Sequence, residues 1–287
     1  MDFECPICGG EEADIIATNK EIRFGCYGSD KNVVECLGCN TVQLYPQWTQ
    51  VELEGLYSQY SKKKDFKGQK VKENINKYIL DHIIVKKSDS ILEIGCGGGD
   101  NVYWFDSLGY NVIGIDKDPT VADLGLCHNE DFFEYSEDNK FDFIYAMHVF
   151  EHMSNPYAFI NKLTRHLNDG GKFLLELPSV DDPLLKVYDN SSYKKFCWYP
   201  YHLFFYSQES IKHVLESNHE IKCEVEMVQR YGVINHLRWL IFGKPGNVNF
   251  SIPLLDRAYK RFLTKVLKSG DTLIVKAEKC KGELCVT

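Results

Sequence analysis

The 287-residue chain has no apolar run long enough to cross a bilayer, no internal repeat and no low-complexity tract. A membrane span needs about 20 consecutive apolar residues, so a transmembrane reading is excluded, as are repeat and linker architectures. A charged-then-apolar leader is also missing from the start of the chain. Basic residues are scarce relative to acids, 33 against 41, for a net charge of −8. That balance argues against a surface built for nucleic acid. Cysteine is plentiful at eleven, but the number is odd and most are scattered, which is not a disulfide framework. The expectation is a cytoplasmic protein in a reducing compartment, long enough for one core domain and a small appendage.

What is present is a punctuated run, Ser90-Ile-Leu-Glu-Ile-Gly-Cys-Gly-Gly-Gly-Asp100. Ile91 to Ile94 reads as a buried strand that breaks into Gly95, Gly97, Gly98 and Gly99. A helix-compatible stretch follows, then a second apolar strand, Asn111 to Ile115, ending at Asp116. Strand, glycine turn, helix, strand and terminal acid form the first half of a Rossmann-type nucleotide site. Glycines let the backbone approach a ligand without Cβ interference, and Asp116 stands where an acid accepts from ribose hydroxyls. The dinucleotide spacing G-x-G-x-x-G fails, because position 100 is Asp.

The spacing instead reads Glu93-x-Gly95-x-Gly97-x-Gly99. This form resembles the first motif of class I S-adenosylmethionine (SAM) dependent methyltransferases. Later stretches resemble that family in matching order. Asn129-Glu-Asp-Phe-Phe133 follows a third, weak strand, and Lys140 to Met147 is the fourth strand. His148-Val-Phe-Glu-His-Met-Ser-Asn-Pro156 comes next, then Leu167-Asn-Asp-Gly-Gly-Lys-Phe-Leu-Leu-Glu-Leu-Pro178, where Gly170 and Gly171 are expected to make a tight helix-to-strand turn. The resemblance implies an α/β fold with a Rossmann-like seven-stranded sheet. It implies SAM held by Glu93, Gly95, Cys96, Gly97, Gly99, Asp116, Lys117, Asp131, Phe132 and Met147, with Asp131 and Phe132 at the adenine.

Two C-x-x-C knuckles, Cys5-Pro-Ile-Cys8 and Cys36-Leu-Gly-Cys39, lie ahead of this core. Two thiolate pairs on tight turns suit tetrahedral zinc, and their separation favours a small zinc ribbon. Four buried or disulfide-bonded cysteines are the alternative, and Cys26 between the knuckles is a spare ligand. Residues 1–40 hold three positive side chains against eight negative ones, whereas phosphate binding needs the opposite sign. A lysine cluster, Lys62, Lys63, Lys64, Lys67, Lys70 and Lys72, is either a solvated helix face or an attractor of phosphorylated substrate.

The chain therefore divides into a ribbon over 1–45, a helical linker or lid over 46–88, and the methyltransferase domain over 89–287. The domain carries an aromatic-rich cap at 180–206 and a helical insertion at 232–268. The linker's apolar face includes Tyr57, Tyr60, Ile75, Tyr78, Ile79, His82 and Ile83. Ser207 is a good helix N-cap. Ile221 to Val228 alternates as a half-buried strand, and Asp271 to Glu278 is the expected last strand. Tyr201-His-Leu-Phe-Phe-Tyr-Ser-Gln-Glu-Ser-Ile211 is similar to a signature of bacterial methyltransferases associated with sugar and surface-polysaccharide biosynthesis. Gln229-Arg-Tyr231, Asn235-His-Leu237, Trp239 and Gly243-Lys-Pro-Gly246 resemble the same group. A large C-terminal domain found in the sugar C-methyltransferases is absent, which favours an oxygen acceptor.

A sugar hydroxyl is a weak nucleophile, so a general base or an acidifying metal is expected. His148, Glu151 and His152 follow the fourth strand and would share a helix face; His202 lies in the aromatic cap. Their resemblance to the magnesium ligands of ubiquinone O-methyltransferases and small-RNA 2′-O-methyltransferases leaves Mg2+ open beside a histidine base. His148 stands where the first carboxylate of that pattern would be. The expected function is O-methylation of a sugar, sugar nucleotide or surface-glycan precursor, a small carbohydrate acceptor. RNA or protein methylation, or SAM binding without catalysis, are the alternatives.

Overall fold

Short apolar runs cut by glycine and polar turns become eleven strands among the residues described by the computed structural model, namely 3–22, 30–49, 51–53, 55–56, 85–121, 125–245 and 252–281. The lysine cluster, the apolar linker positions from Tyr57 to Ile83, and Cys26 lie outside the described residues.

Three strands near the N-terminus, β1 (Ala13–Ala17), β2 (Asn32–Cys36) and β3 (Val42–Tyr45), form an antiparallel meander. The main sheet begins with β4 (Ser90–Ile94). Helix α1 (Asp100–Ser107) leads to β5 (Asn111–Asp116), and the short β6 (Cys127–Asn129) follows. Next come β7 (Phe141–Met147), α2 (Pro156–His166) and β8 (Leu167–Pro178). Helices α3 (Pro183–Lys186) and α4 (Ser191–Cys197) precede β9 (Phe204–Phe205), α5 (Ser210–Glu216) and β10 (Ile221–Val228). Helices α6 (Val233–Phe242) and α7 (Pro253–Lys265) make the insertion before β11 (Thr272–Lys279).

The seven-stranded sheet has the order β10-β11-β8-β7-β4-β5-β6, with β11 antiparallel to both neighbours and the other ladders parallel. This is the class I methyltransferase sheet. Its central strands are apolar on both faces because helices cover both, with Leu92, Ile144 and Leu175 fully buried. Helix α2 starts cleanly because Pro156 occupies its first turn and the Asn155 side chain accepts from Ala158 N at 3.0 Å. It buries Phe159, Ile160 and Leu163.

One local expectation changes and one is met. Strand pairing already begins at Leu167, so Gly170 and Gly171 form an irregularity within β8 rather than a turn before it. Asn168 Nδ2 donates to Asp142 Oδ1 at 2.8 Å, which holds the residues ahead of the glycines against β7. Ser207 caps the start of α5 as expected: it exchanges hydrogen bonds with Ser210, each backbone N–H reaching the other's Oγ at 2.9 Å, and its carbonyl accepts from Ile211 N at 3.2 Å.

The meander does not stand apart from the cap. Strand β3 pairs with β9 through Val42 with Phe205 and Gln43 with Phe204. Leu44 N donates to Leu203 O at 3.0 Å, and Trp48 Nε1 to Pro200 O at 2.7 Å. On the helical side, Tyr157 Oη donates to Ile7 O at 2.6 Å. The residues around His202 are thus fixed from one side by the N-terminal strands.

Candidate active site

The parallel strands end at one edge of the sheet, where ligands bind in open α/β folds. The glycine turn after β4 is anchored by Gly95 N and Cys96 N, which donate to Ile115 O at 2.8 and 3.1 Å. A Cβ on Gly95 would lie 2.4 Å from Val149 Cγ2, so the turn touches the loop after β7. Gly97 has φ +51° and nothing within 4 Å of its missing Cβ. Its bare backbone therefore borders open space. Asp116 ends β5 with Oδ2 accepting from Gly97 N and Oδ1 from Asp118 N, both at 2.8 Å. The half-buried carboxylate thus organises the turn beside the open space at Gly97. A ligand with a ribose and a charged methionine tail fits this cradle.

The other expected SAM residues divide into a rim and a support. Glu93 is buried, with Oε1 accepting from Asn101 Nδ2 at 2.8 Å and Oε2 from Tyr145 Oη at 3.0 Å. Burial raises its pKa to about 8 against the help of those two bonds. It braces the turn from beneath. Cys96 turns its thiol inward towards Gly114, and Met147 packs half-buried against the core. Phe132 is buried against Phe159 and His166, while Asp131 Oδ1 accepts from Phe133 N at 2.8 Å. Lys117 is exposed beside Asp116.

The four expected catalytic residues do come together. His148 takes a left-handed backbone, φ +56°, and Phe150–His152 form one 3₁₀ turn rather than an α-helix. A non-glycine residue in that region is strained and is common at functional sites. Glu151 retains 1% of its side-chain surface, and neither carboxylate oxygen has a hydrogen-bond partner among the described residues. His148 Nδ1 stands 3.5 Å and His202 Nε2 3.8 Å from Glu151 Oε1. Glu151, His152 and His202 each offer a ligand atom within 4.8 Å of the others.

His152 Nδ1 is 2.7 Å from Tyr201 O. A carbonyl only accepts, so Nδ1 carries the hydrogen and Nε2 keeps its lone pair. Burial lowers the pKa of His152 and, reinforced by His152, brings His202 down to about 3. Both rings are neutral at neutral pH. Burial alone would keep Glu151 protonated, but His148, His152 and His202 outweigh it and bring its pKa to about 2. His148 behaves oppositely: burial opposes its charge, but Glu151 and Glu176 raise its pKa to about 9. Its side chain keeps 45% of its surface, so solvent screens part of that coupling.

Two residues of this cluster were not expected. Glu176, buried at the end of β8, lies 3.4 Å from His148 Nε2 and accepts from Arg230 Nη1 at 2.6 Å. The signal was an acid inside the apolar run Phe173-Leu-Leu-Glu-Leu177. Arg230 follows β10, and its backbone N–H is held by Asp271 at 2.9 Å. Most of the aromatic cap is core: Phe204 and Tyr206 are fully buried, and Trp198 packs edge-on against Phe205.

Cys5, Cys8, Cys36 and Cys39 converge, with Sγ–Sγ distances of 3.7 Å for Cys5–Cys39 and 3.6 Å for Cys8–Cys36. Four thiolates around zinc at about 2.3 Å would have edges of about 3.8 Å. Gly10 N and Gly38 N point at Cys8 Sγ and Cys36 Sγ, at 3.4 and 3.3 Å. The donor set fits a structural zinc ion.

A family model described as a methyltransferase domain matches residues 64–218. Tocopherol O-methyltransferase, chloroplastic, from Arabidopsis thaliana is 28% identical over 160 residues, covering 48% of this chain and 46% of the relative. A tRNA U34 carboxymethyltransferase from Pseudoalteromonas translucida is 29% identical over 115 residues, covering 34% of each chain. The chain spans less than half the length of these curated relatives. The crystal structure of a SAM dependent methyltransferase from Archaeoglobus fulgidus superposes with a TM-score of 0.53 at 18% identity, covering 78% of this chain and 99% of that one. That likeness concerns the fold.

Proposed function

Because the chain belongs to the methyltransferase-domain family as a SAM-dependent class I enzyme, we propose that it methylates a hydroxyl oxygen of a sugar, sugar nucleotide or surface-glycan precursor. The observation that carries this reading is the buried Glu151 carboxylate, with no hydrogen-bond partner among the described residues, the charged His148 ring 3.5 Å away and two neutral histidines beside it. A buried carboxylate left unbonded is costly. The ion pair with His148 offsets part of that cost without supplying a hydrogen bond, so the carboxylate can still take a second partner: a developing imidazolium, an acceptor hydroxyl or a cation.

SAM, when bound, supplies a methyl on a positively charged sulfur. The chain's own part is to orient and to take a proton. Gly97 and Asp116 border the cofactor cleft, and Val149 links that turn to the histidine cluster. His152 Nε2 takes the proton from the acceptor hydroxyl as the oxygen attacks. Tyr201 O fixes the ring's tautomer, and Glu151 stabilises the imidazolium. Such base assistance contributes about 10²–10⁴-fold. Glu151, His152 and His202 would equally hold Mg2+, which acidifies a hydroxyl directly; a chelator decides between the two.

The sugar acceptor is supported by the likeness of residues 201–211 to the sugar-associated group, and an oxygen acceptor also by the Arabidopsis relative's name. A tRNA acceptor, prompted by the Pseudoalteromonas relative, is the second reading. It is disfavoured by the N-terminal segment, with three positive against eight negative side chains over residues 1–40. In this reading residues 1–45 are a zinc ribbon, 46–88 a linker and 89–287 the catalytic domain. The test is incubation with methyl-labelled SAM and a panel of nucleotide sugars, with tRNA in parallel. Label on a sugar oxygen supports the proposal; label on tRNA alone refutes it.

A further inference from the structure

The insertion between β10 and β11 has a composition unlike the rest of the chain. Ten of the twenty large apolar side chains standing exposed among the described residues fall between Leu237 and Leu267. Residues 233–268 also carry seven Lys or Arg and a single acid, Asp256, in a chain of net charge −8. Asp256 is buried, accepting from Val233 N at 3.0 Å and Ile252 N at 3.0 Å. The exposed charge of this segment is therefore all positive.

Helix α7 sorts these groups into stripes. Asp256 and Leu263 face inward, joined by the half-buried Tyr259, whose Oη meets His236 Nδ1 at 2.6 Å. Leu254, Ala258, Phe262 and Val266 repeat every four residues on the outside. Arg257, Arg261 and Lys265 form the adjoining exposed stripe. Leu254 is 79% and Val266 64% exposed; on α6, Ile241 is 67% exposed. The helix of 13 residues presents roughly 20 Å of apolar edge. Apolar stripe beside basic stripe is the pattern of a helix lying in the plane of a membrane interface.

We propose that α6 and α7 dock this protein on the surface of an anionic lipid bilayer. Charge selects that occupant. A second copy would bring the same cations face to face, which like-charge repulsion opposes. A nucleic acid would neutralise the arginines but leave Leu254, Ile241 and Val266 in water. A bilayer of anionic headgroups over hydrocarbon satisfies both stripes. No described helix is long and apolar enough to cross a membrane, so the contact is peripheral. Helix α7 also reaches the candidate site from its other side, since the half-buried Lys260 Nζ donates to Arg230 O at 2.5 Å and Arg230 holds Glu176. The proposal stands independently of the acceptor's identity.

The test is co-sedimentation of the full chain with vesicles of two parts phosphatidylcholine to one part phosphatidylglycerol, against pure phosphatidylcholine. Binding to the anionic vesicles, weakened by salt and at least about tenfold weaker on neutral ones, is expected. Arg257→Glu with Arg261→Glu should weaken it roughly twentyfold or more, at about fivefold per lost cation. Phe262→Ser with Val266→Ser should weaken it about tenfold or more. All four positions are exposed, so melting temperature should hold. Failure to bind anionic vesicles overturns the proposal, as do variants that bind like wild type. A concentration-dependent dimer dissolved by Phe262→Ser would assign the face to a second copy and overturn it equally.

Discussion

Replacing Glu93 by Gln should make the protein less sensitive to alkaline pH and more stable at pH 7. The carboxyl is buried beneath the glycine turn, and its pKa rises from an ordinary 4.5 to about 8. A raised carboxyl pKa means the folded state holds a proton that the unfolded state releases. The native stabilisation is therefore complete below about pH 4.5 and is lost as pH rises towards 8. At about 1.4 kcal/mol per unit, the loss between pH 5 and 7 is on the order of 2 kcal/mol. For a chain of this size that is roughly 3–5 °C in melting temperature. Glutamine keeps an acceptor for Asn101 Nδ2 or Tyr145 Oη and cannot ionise. Thermal unfolding of both proteins at pH 5, 6, 7 and 8 should show the wild-type curve falling away from the variant's. Parallel curves, or a variant less stable at pH 7, would refute the view of Glu93 as a neutral brace.

Three further outcomes follow from the same geometry. Asp116→Ala removes two charge-assisted bonds, one to the turn at Gly97 N and one to the loop after β5 at Asp118 N. Each is worth about 1.5–3 kcal/mol, so calorimetry should find SAM affinity down at least about tenfold; unchanged affinity would remove the site from this turn. Gly95→Ala adds a Cβ 2.4 Å from Val149 Cγ2 at φ +74°, and should lower the melting temperature where Gly97→Ala, strained but unobstructed, lowers it less. Elemental analysis should find about one zinc, lost in Cys36→Ser, and metal-free protein should melt earlier; identical melting would return the four cysteines to an ordinary buried cluster.

The alternation of apolar runs and glycine turns made the order of strands legible, because fully buried parallel strands read as short apolar blocks. Gly95 to Asp116 could be placed because backbone approach restricts residue type there. The His148–His152 string and His202 were legible as chemistry but not as one cluster, since 49 residues separate His152 from the Tyr201 carbonyl it bonds. Glu176 and Arg230 escaped because a lone acid in a strand and a lone arginine after one carry no mark of their partner. Gly170 and Gly171 read as a turn because local sequence could not show Asn168 already tied to Asp142. Phe132, matched to an adenine contact by resemblance, faces Phe159 and His166, an orientation that period alone does not set in a loop.

The central claim is that SAM binds at the glycine turn while an imidazole beside Glu151 activates the acceptor. It is tested most directly by measuring SAM affinity and single-turnover methyl transfer together for wild type, His152→Ala and His202→Ala. The account predicts near-normal affinity in both variants and a loss of about 10²–10⁴-fold in transfer for at least one. Both variants turning over the true acceptor at the wild-type rate would contradict it.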